Sequence, residues 1–143
     1  MQLSNRADYA IRAMVDMASK PRGTVAITRE IAHRQGLPLL FLAKIVPQLA
    51  RAGLVRTYRG TAGGLLLNRP PEEITLLQVV EAVDGPIHLN RCLIRSGECP
   101  REVHCPVRDV FGEAQDHLVS LLSRYTLADM VARENYKAAS QEK

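Results

Sequence analysis

The sequence predicts a mainly α chain: a winged helix-turn-helix head with a two-stranded β wing, plus a long C-terminal helix. Three observations carry that expectation. Two short amphipathic segments, one ending at Gly36 and the next starting near Pro38, have the outline of a helix-turn-helix. The run LVRTYRGTAGGLLLNRP follows at once and reads as a hairpin around a glycine-rich turn. Residues 107–125 then carry the longest apolar stripe of the 143-residue chain.

Taken in order, the first helix is expected from Ser4 to about Ser19. Ala7, Ala10, Ile11, Met14, Val15 and Ala18 recur there at helical spacing, opposite Asp8, Arg12 and Asp16. Pro21 and Gly23 end it. A second helix over Thr28–Gln35 turns Ile31 and Ala32 inward and closes at Gly36, a C-cap residue. Pro38 suits the first turn of a third helix, whose stripe is Leu39, Leu42, Ile45, Val46 and Leu49 and whose stop is Gly53. Pro47 falls inside that pattern and predicts a kink or a loosened turn. TLLQVVEAV opens on Thr75 with Gln78 three residues on, a capping box, and ends at Asp84-Gly85-Pro86. In the long helix Val107, Val110, Phe111, Ala114, Leu118, Leu121, Leu122 and Tyr125 line one face over roughly five turns. TLADMV repeats the capping signature and predicts one more helical turn, with a frayed polar tail beyond it. The expected division is a head at 1–86, a cysteine-rich loop at 87–106, the long helix and a short terminal helix at 107–131, and a flexible tail at 132–143.

Composition narrows the function. With 46% hydrophobic and 24% charged residues the chain reads as an ordinary globular protein whose core is built from Leu, Val, Ile and Ala, since aromatics are only 4%. The N-terminus lacks the pattern of a signal peptide, and no stretch approaches the roughly 18 apolar residues of a membrane span. A cytoplasmic protein is therefore expected, with no membrane partner. The net charge of +4 points weakly to an anionic partner, but its distribution is more telling: Arg51, Arg56, Arg59 and Arg69 occur with no acid among them. In a winged helix this places cations on the hairpin, with Arg59 at its tip beside Gly60, where glycine lets the backbone approach a phosphate or groove closely. The candidate DNA contacts are Arg56, Tyr58, Arg59 and Gly60 of the wing, Thr28 at the start of the second helix, and Leu40, Phe41, Ala43, Lys44 and Gln48 of the third. Lys44 and Gln48 can donate to base edges. Phe41 either packs on a thymine methyl or closes the core of the head. No nucleophile–His–carboxylate set, phosphate loop or carboxylate pair is present, so no enzyme is predicted.

All three cysteines, Cys92, Cys99 and Cys105, lie in NRCLIRSGECPREVHCPVRD. An odd count excludes a closed set of internal disulfides, and thiols clustered among Gly, Pro and charges are unlike core cysteines. Two metal readings stand. Zinc could take the three thiolates plus His104 or His88. An iron–sulfur cluster suits soft thiolate ligands and tolerates a variable fourth ligand. The same loop could also serve a cluster-bearing electron carrier, a use for which a basic glycine hairpin has no role.

Head, wing, cysteine loop and long helix in this order resemble the Rrf2 family of bacterial regulators, of the IscR, NsrR and RirA type. The resemblance covers about residues 1–131. It rests on MQLSNRADYAIRAMVDMA, on REIAHRQGLPLLFLAKIVPQLARAGLVRTYRGTAGGLLL with its R-G-x-x-G-G wing, on ITLLQVVEAVDG, and on the three cysteines before the long helix. It implies a homodimer paired through the long helix (Val110, Ala114, Leu118, Leu121), a palindromic double-stranded operator, and an iron–sulfur cluster, 4Fe–4S or 2Fe–2S, held by Cys92, Cys99 and Cys105 and controlling operator binding. IscR-like members place a His three residues after the third cysteine, where this chain has Arg108. NsrR-like members use an Asp from the partner's first helix, and Asp8 stands at that position.

Overall fold

Ser4 starts the fold. Its hydroxyl accepts from the Ala7 N–H at 3.0 Å, and the first helix, α1, runs Asn5–Ala18. In the computed structural model, which describes residues 2–58, 63–94, 97 and 99–141, the next elements are β1 (Ala26–Ile27), α2 (Thr28–Gln35), α3 (Leu39–Arg51), β2 (Val55–Tyr58) and β3 (Gly64–Leu67). Then follow α4 (Leu76–Asp84), α5 (Pro106–Arg124) and α6 (Leu127–Gln141), with short 3-10 turns at Pro71–Glu73, Arg91–Leu93 and Glu102–His104. Gly36 ends α2 with φ 64°, a left-handed conformation that glycine adopts without strain. The capping box at Thr75 and Gln78 is present in both directions. Pro47 does not break α3, which continues to Arg51.

The wing has one more strand than the sequence predicts. β2 and β3 pair antiparallel, Val55 opposite Leu67 and Tyr58 opposite Gly64, and the two-residue β1 adds to the free edge of β3 through Ala26↔Leu65 and Ile27↔Gly64. Two residues are too few for a period-2 pattern to show. The join is close: a Cβ on Gly64 would lie 2.8 Å from Cγ1 of Val25, so any larger residue there would force the Val25 side chain to move.

One core serves the whole molecule. Ala7, Ala10 and Ala13 of α1 let other helices approach closely, and Met14, Ile31, Leu42, Ile45, Leu54, Ile74 and Val79 fill the space between them. Leu127 belongs to the same cluster and is fully buried. The terminal helix is therefore packed on the head and is not a separate appendage. Thr75 and Thr126 form an isolated antiparallel bridge, with Leu76 N–H donating to Tyr125 C=O and Leu127 N–H to Ile74 C=O, both at 2.9 Å.

α6 also departs from expectation in length. Thr126 and Asp129 cap it reciprocally, at 3.2 and 2.9 Å, as the repeated signature predicts. It then continues to Gln141 where a frayed tail was expected from residue 132. Ala, Glu, Lys and Gln are good helix formers, and once a cap has nucleated a helix each further residue adds a hydrogen bond at little cost.

Leu127→Ala is expected to lower the unfolding free energy by about 2–5 kcal/mol, the range for a buried Leu that leaves a cavity. Urea denaturation followed by circular dichroism measures it, and a change below about 0.5 kcal/mol would show that the terminal helix is not part of the head core.

Candidate nucleic-acid interface and cysteine loop

α3 divides its residues between two environments. Leu42, Ile45, Val46 and Leu49 are buried, while Leu40 is 80% and Phe41 38% exposed and Lys44 is open to solvent. Ahead of it, α1 and α2 are joined by polar contacts that the sequence did not announce. Asp16, only 5% exposed, accepts from Nε of Arg34 at 3.1 Å, tying α1 to α2. Arg12 donates to the Gln35 carbonyl at the end of α2, and Asp8 sits 3.7 Å from Arg12. Leu37 N–H donates to Ala32 C=O at 2.8 Å and closes the turn.

The two alternatives for Phe41 now separate. Its ring stands edge-on to Tyr9, centroids 5.2 Å apart at 82°, so it anchors α3 to α1. Gln48 is half-buried, and its Oε1 is enclosed without a hydrogen-bond partner among the described residues. Lys44 is the more exposed of the pair Lys44 and Gln48. Thr28, at the start of α2, is half-buried and lines a hollow of about 470 Å³ together with Leu39, Leu40 and Ala43.

On β2 the side chains of Arg56 and Tyr58 are exposed, and only Val55 is buried. Arg59 and Gly60, expected at the wing tip, lie outside the described residues. A broader charge signal surrounds these positions than the sequence reading used. From Ile31 to Pro71 the chain has no Asp or Glu, while Arg34, Lys44, Arg51, Arg56, Arg59 and Arg69 occur there. α3, β2 and β3 all fall in that acid-free stretch.

Cys92, Cys99 and Cys105 are half-buried and none is in a disulfide. Arg108, in the first turn of α5, holds their loop: its Nε donates to the Cys92 carbonyl at 3.3 Å, and its NH2 group lies 3.2 Å from Glu102. Glu102 in turn accepts from the Gly97 N–H. The contacts reach both intervals between the cysteines and the start of the helix that follows. Among the described residues, no group of three or more His, Cys, Asp or Glu side chains is placed to hold a metal ion. Within one chain, Asp8 is thus not gathered with the thiols, and His88 and His104 are exposed. Soft thiols on one short loop suit iron–sulfur ligation by donor chemistry.

α5 has no buried residue. Its apolar stripe is split: Leu118 and Leu122 line a hollow of about 740 Å³ with Val80 and Ile87, whereas Val110 is 60% and Leu121 42% exposed and Ala114 is open. Leu118, expected on the outward dimer face, thus also borders the head. Among the described residues no helix is long and apolar enough to cross a membrane.

Comparison with known proteins agrees with this architecture. The Rrf2 family profile, described as an iron-dependent transcriptional regulator, matches residues 3–133. An HTH-type transcriptional regulator of Mycobacterium tuberculosis is 38% identical over 131 residues, spanning 91% of this chain and 81% of that protein. Among solved structures, CymR, the global cysteine regulator of B. subtilis, superposes with a TM-score of 0.76 at 26% identity, covering 93% of this chain and 98% of its own. IscR of T. potens gives 0.71 at 25% identity, over 94% and 88%. With the winged-helix fold and a family profile along nearly the whole chain, this protein belongs to the Rrf2 family of transcriptional regulators and is not an enzyme.

Proposed function

We propose that this protein is a cytoplasmic, homodimeric repressor that binds a palindromic double-stranded operator, and that its affinity is governed by an iron–sulfur cluster responsive to nitric oxide, iron or redox state. The observation that carries the reading is the mechanical setting of the thiols. Cys92, Cys99 and Cys105 are unpaired on a loop that Arg108 fastens to the start of α5, and α5 leads directly into Leu127 in the head core. Cys92, Cys99 and Cys105 would hold the cluster, and Asp8 of the partner subunit would complete it. Bound there, the cluster would supply a centre reactive toward oxidants and nitric oxide.

The chain's own residues account for how the loop could act on DNA. α5 has 19 residues, a rod of about 28 Å at 1.5 Å per residue. A change in the spacing of the thiols moves its first turn through Arg108. The rod passes that displacement to Thr126 and Leu127, hence to the packing of α6 on α1. In a dimer paired through Val110, Ala114 and Leu121, the same displacement alters the separation of two α3 helices, to which a palindromic site is sensitive.

Anaerobically purified protein is expected to be brown and to contain iron and acid-labile sulfide. Cys92→Ala, Cys99→Ala and Cys105→Ala should each lose most of the visible absorbance, and a colourless protein carrying zinc would overturn the cluster assignment. Asp8→Ala should shift the spectrum while His104→Ala leaves it alone; the opposite pattern would place the fourth ligand on His104.

For the dimer, Val110→Glu places a charge on the open edge of α5 away from the head. Sedimentation is expected to show monomers at micromolar concentration, and an intact dimer would move the interface elsewhere. On the DNA side, Arg56→Ala should reduce the slope of log affinity against log salt by about one, as for the loss of a single phosphate contact. An unchanged slope would remove Arg56 from the backbone contacts.

A further inference from the structure

The exposed face of α3 offers a groove few hydrogen-bonding groups. Lys44 is the open donor of its first two turns; Gln48 is half-buried, and Arg51, also exposed, stands at its C-terminal end. In their place stand apolar side chains. Leu40 is 80% and Leu39 37% exposed, and with Ile27, Ala43 and Val46 they line the hollow of about 470 Å³ between α2 and α3. Phe41 is taken up by Tyr9, so it does not explain this surface.

The charge around the hollow bears on what covers it. Arg29 lines the same hollow, Lys44 follows Leu40 by one turn, and no acid occurs from Ile31 to Pro71. An apolar protein surface does not require such a cationic frame. An anionic polymer that presents small apolar groups on a polar floor does. In the major groove of DNA that group is the C5-methyl of thymine, which packs against aliphatic side chains and distinguishes thymine from every other base.

We propose that Leu40, backed by Leu39 and Ala43, reads thymine methyl groups, so that the base preference of α3 rests on methyl contacts more than on bidentate hydrogen bonds. The inference rests on the DNA-binding reading above and deepens it by naming what α3 recognises. A methyl group moved from water into such a hollow corresponds to about a three- to fivefold change in affinity.

The test uses an operator recovered from a random duplex library with the wild-type protein, purified anaerobically. Each thymidine is then replaced by deoxyuridine, which removes only the methyl group and keeps the hydrogen-bonding edge. Affinity is expected to fall about three- to fivefold at one or two positions per half-site, and Leu40→Ala should bind thymine and uracil operators alike. Leu40 is mostly solvent-exposed, so this variant leaves the core intact. Full affinity for an all-uracil operator, or uracil effects that persist unchanged in Leu40→Ala, would overturn the proposal while leaving the DNA-binding reading in place. Failure of the wild-type protein to select any duplex sequence would overturn both.

Discussion

Burial of Leu127 is the contact on which the arrangement of the molecule depends. α5 buries none of its own residues, although Gln115 accepts from the Leu89 N–H and Leu118 and Leu122 border the head. It is also held at its ends. Arg108 grips the cysteine loop at the start, and the Thr75–Thr126 bridge and Leu127 insert into the head at the finish. Complete burial of a Leu side chain contributes about 1.5–3 kcal/mol, enough to keep so short an anchor seated. Because α6 then lies along α1, the head and the loop are two ends of one mechanical element.

The head solves a second problem, which is to keep one side of α3 bare. A helix with four buried residues and an exposed Leu40 would gain by rolling to cover the latter. The edge-on contact of Phe41 with Tyr9 ties α3 to α1 and opposes that roll. Polar contacts fix the helices it leans on: Asp16 and Arg34 join α1 to α2, and Arg12 holds the carbonyl end of α2. A buried carboxylate such as Asp16 carries a desolvation cost that its pairing only partly offsets, so its contribution lies more in fixing geometry than in net stability.

Arg108 takes on a structural character. A guanidinium has no lone pair for a metal, so it cannot stand in for a histidine ligand. What it offers is a planar set of donors, and the loop uses them on the Cys92 carbonyl and the Glu102 carboxylate. The position that bears a His in IscR-like regulators here fastens the loop to α5.

Local order was legible in the sequence. The bounds of α2, the left-handed Gly36, the Thr75–Gln78 box and the Thr126–Asp129 box all depend on residues within about one helical turn, and periodicity with capping chemistry suffices to find them. So did the family, whose signals are contiguous motifs. Tertiary structure alone decided the rest. β1 is two residues whose strand character exists only because β3 offers an edge and Gly64 offers room. The sequence left Phe41 open between a groove contact and the core, and its packing on Tyr9, like the half-burial of Gln48, depends on elements outside α3. The stripe of α5 announced an apolar face but not that Leu118 would border the head while Val110 stayed open. An apolar residue states in the sequence that it is to be covered. What covers it is set by chain segments far away in sequence, through contacts that no local pattern encodes.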